Sequence, residues 1–427
     1  MLYQVNHLMN RLLIGLTIGS LLTLLNFYPT RAQISPSLEL TDKRKHLAEL
    51  IIDTVVEVTT FKRNLSLIKM PEDALTLSRF HQDGKIHTLA VLEDDGENIT
   101  GIDLTRELKR YEQHSFDVIK ELNFNEVVEV IRKSKWKVKL KYENLLPCVE
   151  GEKHLAIGIN YADHGEETGQ VKPFMFPKYV NTDPAIHQLN YTEGWLLDHE
   201  VELGMVFPKP VCSITEINSA VIGFLVVNDF TDRATLMRKM DSQNVIGGRG
   251  FPDAKSKKGF LPTGPYMVIP RDWRTFVKEL HLKLAVNGEI RQNGSAKDMV
   301  WDIGEIIRRS LAVGGERKSF YQDQMVKLFE GECIPANSII ITGTPSGVVF
   351  KAPTRGFIAG AVTKYIFSGG FFSNKMHPYI LQQYLKKEMG NPRYLRPGDQ
   401  IESSINFLGT IKTTVQAQIP NSHRVRP

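Results

Sequence analysis

The segment Asp198-His199-Glu200-Val201-Glu202-Leu203-Gly204-Met205 carries carboxylates two residues apart. On a β-strand alternate side chains share a face, so Asp198, Glu200 and Glu202 converge on one side while Leu197, Val201, Leu203 and Met205 face a core. His199 is the exception to that alternation. Carboxylates at i and i+2 repel unless something neutralises them, and a hard divalent cation with oxygen ligands does so. A solvated strand face is the competing reading. Downstream, Val221 to Val227 is continuously apolar and ends in Asn228-Asp229. A carboxylate at the tip of a buried strand is costly to desolvate unless it is paired or metal-bound. The other role open to Asp229 is the N-cap of a helix starting at Phe230.

Two further groups carry chemistry. In Asp253-Ala254-Lys255-Ser256-Lys257-Lys258-Gly259-Phe260-Leu261-Pro262, the Gly and Pro residues predict a fixed turn that could hold a lysine over a site. In Gly158-Ile159-Asn160-Tyr161-Ala162-Asp163-His164-Gly165-Glu166-Glu167, His164 and Glu167 stand three apart. If that piece is helical they share a face, and the carboxylate orients and charge-stabilises the imidazole. That is how a general base is built, although such a pair also occurs as a plain surface feature.

The elements that must position these groups are legible as short apolar runs separated by Gly- and Pro-rich turns. Leu155–Ile159, Glu200–Phe207, Val221–Val227, Tyr266–Ile269, Leu282–Val286, Ser338–Thr342 and Thr410–Val415 read as strands, which predicts a β-rich sandwich or barrel-like roll. Before them, residues 33–152 read as a small α+β region. It has a helical pattern at 43–57, a hairpin around Asp94-Asp95-Gly96, and helical stretches at 103–122 and 124–134. Within it, Lys133 to Tyr142 alternates lysines with Trp136, Val138, Leu140 and Tyr142, the pattern of a half-buried edge strand whose lysines discourage pairing with other chains. Residues 351–393 interrupt the β-rich pattern with a Gly/Phe-rich piece (367–372) and a helix from Pro378 to Met389, ended by Gly390 and Pro392. Its apolar face (Ile380, Leu381, Tyr384, Leu385) is expected to pack on the core.

Composition sets the outer limits. The 427 residues are 42% hydrophobic and 24% charged, an ordinary globular balance, and a net charge of +5 is too mild and dispersed to argue for nucleic acid. Arg11 precedes sixteen uncharged residues, Leu12 to Phe27, followed by small residues at Thr30 and Ala32. This reads as a secretory signal over 1–32 and predicts export to a periplasmic or extracellular space; an uncleaved membrane anchor is the alternative. Cys148, Cys212 and Cys333 show no metal-ligand spacing. An exported chain could pair two of them, but three buried, unpaired cysteines are the expectation.

Taken in order, Gly158-x-Asn160-Tyr161-x-x-His164, Asp198-x-Glu200-x-Glu202-Leu203, Asn228-Asp229-x-x-x-Arg233, Lys255-Ser256 through Gly259-Phe260-x-Pro262-x-Gly264-Pro265, Asn287-Gly288, Thr342-Gly343-Thr344-Pro345-x-Gly347-Val348 and Leu395-x-Pro397-Gly398-Asp399 resemble the fumarylacetoacetate hydrolase superfamily. The resemblance covers that family's C-terminal catalytic domain across roughly 153–350 and 394–416, and makes 351–393 an insertion in a domain running over 153–427. It implies an α+β, β-rich fold of the fumarylacetoacetase β-roll type, a homodimer, and Mg²⁺ (or Mn²⁺ or Ca²⁺) on Glu200, Glu202 and Asp229. It implies a water-activating dyad of His164 and Glu167 and a lysine, Lys255, near metal and substrate. Arg233 and Thr344 become substrate contacts.

Two positions depart from the pattern: Asn160 stands where a fourth, aspartate ligand would be sought, and Leu236 occupies a position that is glutamine in many members. The implied activity is metal-dependent hydrolysis of a C–C bond in a diketo acid. Decarboxylation, hydration or isomerisation of related keto acids are the alternatives within the superfamily, and an exported, non-catalytic small-acid binding protein is the alternative outside it.

Overall fold

The computed structural model describes residues 68–170, 172–315, 318–367 and 375–417. The expected signal over 1–32, the helical pattern at 43–57 and most of the Gly/Phe-rich piece lie outside the described residues. Among the described residues, no helix is long and apolar enough to cross a membrane.

The larger of two main sheets has ten strands. Lys137–Lys141, Asn98–Asp103, Lys85–Asp94 and Ala74–Gln82, from the N-terminal region, come first. The sheet continues through Met267–Pro270, Gly223–Asn228, Val201–Val206, Ile340–Ile341, Lys153–Gly158 and Phe174–Tyr179. Within this sheet, the antiparallel contact of Ala74–Gln82 with Met267–Pro270 joins the strands of the N-terminal region to the rest. A five-stranded sheet, in the order Glu289–Ser295, His281–Val286, Gln400–Ile405, Gly409–Ala417 and Ile186–Tyr191, packs against one face. Leu203, Met205 and Val226 of the large sheet share a core with Leu282, Leu284, Ile401 and Ile411 of the small one. Each such fully buried side chain contributes about 1.5–3 kcal/mol. The fold is α+β and β-rich, as the punctuated strands predict.

The opposite face of the large sheet is also covered. Leu77, Ala156, Leu225, Val227 and Ile341 pack there against Phe116 and Val118 of the helix Ser115–Ile119, Val127, Val128 and Ile131 of the helix Phe124–Lys133, and Phe251. A strand sandwiched this way becomes uniformly apolar, which is why Gly223–Asn228 lacks alternation. The stretch 103–122 is not one helix but two short ones, Leu104–Leu108 and Ser115–Ile119, separated after Lys109 adopts a left-handed φ of +58°. Lys137–Lys141 is the outermost strand of the sheet. Its Lys137 and Lys139 reach back to Glu93 and Asp95 rather than toward another strand.

The cysteine expectation needs correction. Cys212 and Cys333 form a disulfide across 121 residues, and only Cys148 is free and buried. The cause is local: Val211 and Ile334 exchange backbone hydrogen bonds of 3.0 and 2.9 Å as an isolated antiparallel bridge, which sets their neighbours 4.3 Å apart at Cα.

The segment expected as an insertion, 351–393, forms two helices, Arg355–Phe367 and Met376–Met389. The second is the expected one, with Gly390 as its C-cap. Its Tyr384 and Leu385 join a small separate cluster with Leu196, Ala234, Met237 and Tyr394, and the Tyr384 ring meets Phe357 of the first helix at 5.2 Å.

Candidate metal centre and its cavity

Pairing of Val201–Val206 with Gly223–Asn228 sets Glu202 opposite Val227 and brings the two strand ends together just beyond. There the Asp229 N–H donates to the Glu200 carbonyl at 2.8 Å, and the Glu200 N–H donates to the Asn228 Oδ1 at 3.0 Å. The Asn228 amide is fixed in turn by donating to Ser403 Oγ at 2.9 Å. One carboxylate oxygen from each of Glu200, Glu202 and Asp229 lies within 4.8 Å of the others, and all three residues are buried. Asp229 does not cap a helix; Asp232 does, accepting from the Ala234 N–H at the start of Arg233–Lys239.

Asp198 leaves this group. It accepts from the N–H groups of Val349 and Phe350 at 3.0 and 3.1 Å and from Arg233 Nε at 2.8 Å. The Arg233 guanidinium also donates to Glu200, so both its edges are engaged by carboxylates. Lys255, at the end of the short helix Phe251–Lys255, donates to Glu200 and, at 2.8 Å, to Asp229 Oδ2. Asn160 is pinned by its whole amide: it donates to the carbonyls of Thr342 and Trp301 at 2.8 and 3.0 Å and accepts from the Trp301 N–H at 2.7 Å. It is a brace for the Thr342 loop, not a ligand.

Sequence reasoning missed Lys178. From the strand Phe174–Tyr179 its fully buried ammonium donates to Asp229 Oδ1, and to the carbonyls of Lys255 and Phe260 at 2.6 and 3.0 Å. The available signal was a single charge inside Phe174-Met175-Phe176-Pro177-Lys178-Tyr179.

These contacts set the electrostatics. Burial opposes the charge on Glu200, yet Lys255 and Arg233 outweigh it and hold its carboxyl well below the usual range. Glu202 goes the other way: burial, then the charges of Asp229 and Glu200, push it well above. Among the described residues no cationic side chain is within ion-pair distance of Glu202; the Gly343 N–H donates to it at 2.5 Å. Gly343 is required there, because its φ is +98° and a Cβ would sit 2.7 Å from that of Asn160. Three all-oxygen donors with one lacking a counter-charge fit a hard divalent ion, which would supply that charge at Glu202. The triad can therefore hold a divalent metal.

The triad lies in a cavity of about 420 Å³ that is also lined by Lys255, Arg233, His164 and Thr344. The helix that the His164–Glu167 spacing requires forms over Ala162–Thr168, with His164 Nδ1 3.7 Å from Glu167 Oε2. That is too long for a hydrogen bond; Glu167 Oε2 instead accepts from the Gly347 N–H at 2.9 Å. Thr344 Oγ1 donates to the Val201 carbonyl and accepts from Gln292 Nε2, both at 2.8 Å. Leu236 lines the same cavity.

Comparison with known proteins identifies the chains that this one is similar to. Residues 153–416 match the family described as fumarylacetoacetate (FAA) hydrolase C-terminal. A 2,4-didehydro-3-deoxy-L-rhamnonate hydrolase of Sphingomonas sp. (strain SKA58) is 30% identical over 224 residues, 48% of this chain and 68% of that protein. The oxaloacetate tautomerase YisK of Bacillus subtilis (strain 168) is 28% identical over 271 residues, 61% of this chain and 68% of that one. Among solved structures, a fumarylacetoacetate hydrolase from psychrophilic Exiguobacterium antarcticum shares the fold, with a TM-score of 0.50 and 22% identity over 81% of this chain and all of that one. From the extent of the family match, which exceeds half its length, this chain belongs to the fumarylacetoacetate hydrolase family.

Proposed function

We propose that the protein is a metal-dependent hydrolase that cleaves the C–C bond of an acylpyruvate-type diketo acid. The observation that carries this reading is one cavity holding the carboxylate triad together with His164, Lys255 and Thr344. A divalent ion bound by Glu200, Glu202 and Asp229 would supply Lewis-acid polarisation of the substrate oxygens. Glu167 orients His164, whose separation from it shortens in the substrate complex. His164 removes a proton from water, and the hydroxide adds to the distal carbonyl carbon. The bond from that carbon to the methylene breaks, and the methylene carbon takes up a proton, giving a carboxylic acid and pyruvate. Lys255 offers its ammonium charge to the developing anion, while Arg233 and Thr344 border the space for the substrate's acid end.

A second reading, keto–enol tautomerisation of a keto acid such as oxaloacetate, is favoured by the unclosed His164–Glu167 pair and by the similarity to YisK. That reaction needs no water activation. Purified protein with Mg²⁺, Mn²⁺ or Ca²⁺ and acetylpyruvate, followed by diketone absorbance and product mass, tests the first reading. Oxaloacetate tautomerisation that persists in His164→Ala, without acetylpyruvate cleavage by the unsubstituted protein, replaces it with the second. We further propose export of the chain, which the Cys212–Cys333 disulfide supports because such bonds persist in oxidising compartments, and a homodimeric state as the resemblance implies.

A further inference from the structure

We propose that the part of the cavity away from the triad binds an apolar acyl tail, so that the substrate class is a long-chain acylpyruvate and not a short keto diacid. The inference rests on the acylpyruvate reading above and specifies its substrate. The lining divides by chemistry. Its charged residues are Glu200, Glu202, Asp229, Arg233 and Lys255, all within the hydrogen-bonded group at the strand ends. Beyond these and His164, the remaining titratable lining residues are His377, exposed at the start of its helix, and Tyr384, whose hydroxyl donates to the Lys351 carbonyl. The rest of the wall is dominated by apolar side chains, with Ile358, Ile380 and Leu381 from the insertion and Leu236, Met240 and Phe251 from outside it.

The helix Arg233–Lys239 gives the direction and the depth. Arg233 sits at the carboxylates, Leu236 and Met237 follow about one turn on, and Met240 lies just past the helix end. At about 1.5 Å per residue, the lining rises roughly 10 Å from Arg233 to Met240. A second carboxylate set against the buried side chains of Leu236, Met237 and Phe251 would be desolvated with no cation beside it, a large penalty. An alkyl or aryl chain meets side chains that match it. The volume of about 420 Å³ falls within the roughly 300–1,000 Å³ of sites for drug-sized ligands, more than a five-carbon diketo acid occupies.

The test uses the full chain with Mg²⁺ or Mn²⁺ and a series from acetylpyruvate through hexanoyl- and octanoyl- to decanoylpyruvate. The expected result is a kcat/KM that rises about fourfold per added methylene until the cavity is full. In parallel, calorimetric binding of pyruvate, 2-oxohexanoate and 2-oxodecanoate reads the tail without requiring turnover. Affinity that rises with chain length upholds the tail site even if no acylpyruvate is cleaved, in which case the proposed reaction fails alone. Cleavage of acetylpyruvate with no gain along either series overturns the tail site and leaves the reaction standing. Ile380→Asp is expected to cut the octanoyl-to-acetyl ratio of kcat/KM at least tenfold. Ala352→Trp, a filling change at an exposed lining position, does the same by shortening the cavity and covers the case in which Ile380→Asp does not fold. An unchanged ratio in a folded variant counts against the proposal.

Discussion

The two ends of the cavity are built differently. At the carboxylate end, side chains come off strand termini of a sheet buried on both faces, and Lys178, Lys255 and Arg233 tie Asp229, Glu200 and Asp198 into one network. At the insertion end, two helices rest on a small satellite cluster, and Ile366, Phe367 and Met376 remain exposed. The first end is fixed by interactions that are strong because water is excluded, and that fail abruptly when one partner is removed. The second is held by non-directional contacts, which tolerate change of shape so long as volume and polarity are kept. A site made this way keeps its reacting groups in register while leaving the shape of the substrate tail open to variation.

The largest expected effect tests the first half of that contrast. Glu202→Gln removes a ligand charge without stranding a cation, so metal binding by calorimetry should be lost and kcat/KM should fall about a thousandfold or more, with the melting temperature kept. Metal binding at full affinity in this variant would remove Glu202 from the ligand set. Lys178→Met should cost about 3–5 kcal/mol in denaturant unfolding, because Asp229 loses a buried partner. In whatever fraction remains folded, metal affinity should drop about 10–100-fold, as when a group that orients a ligand is lost.

The next effect asks whether the sheet half responds to acid. His154, in the strand Lys153–Gly158, accepts from the Ile339 N–H, and burial pushes its imidazole down to about 4. Its folded value lies below the unfolded one near 6.5, so its contribution is complete above pH 6.5 and is lost as pH falls toward 4. The loss from this group reaches about 3 kcal/mol, and chemical denaturation at several pH values should show a shallower acid slope for His154→Gln. The smallest effect belongs to the insertion end. Leu385→Ala should cost about 2 kcal/mol, seen as faster amide exchange in 355–367 and 376–389 while the sheet's protection is kept. A uniform rise in exchange across the sheet would mean the two ends unfold as one unit.

Legibility in the sequence followed the same division. Glu200 and Glu202 could be read because a period-2 pattern places them on one face, and Asp229 because an apolar run stops at it. The strands around them were apolar enough to stand out. Lys178 was missed because its one signal, a lone charge in an apolar run, does not say which partner it meets; the folded sheet brings its ammonium to Asp229, 51 residues along the chain. The central strand Ala74–Gln82 was missed because Thr76, Ser78 and Arg79 are all buried there; the Arg79 guanidinium donates to the Pro147 carbonyl and to Glu150. The helix Arg355–Phe367 was missed for the opposite reason: Phe357, Ile358, Val362, Ile366 and Phe367 place apolar groups all round it, so no stripe marks a period.

The bond between Cys212 and Cys333 closes a ring of chain around much of this chemistry. Asp229, Arg233 and Lys255 lie inside the ring, and Glu200 and Glu202 lie just outside it. Closing a loop of 121 residues removes about 5 kcal/mol of chain entropy from the unfolded state. An oxidised chain that loses its fold therefore stays a closed loop with the neighbourhoods of Val211 and Ile334 held side by side. A reduced chain must bring those two segments together again by diffusion.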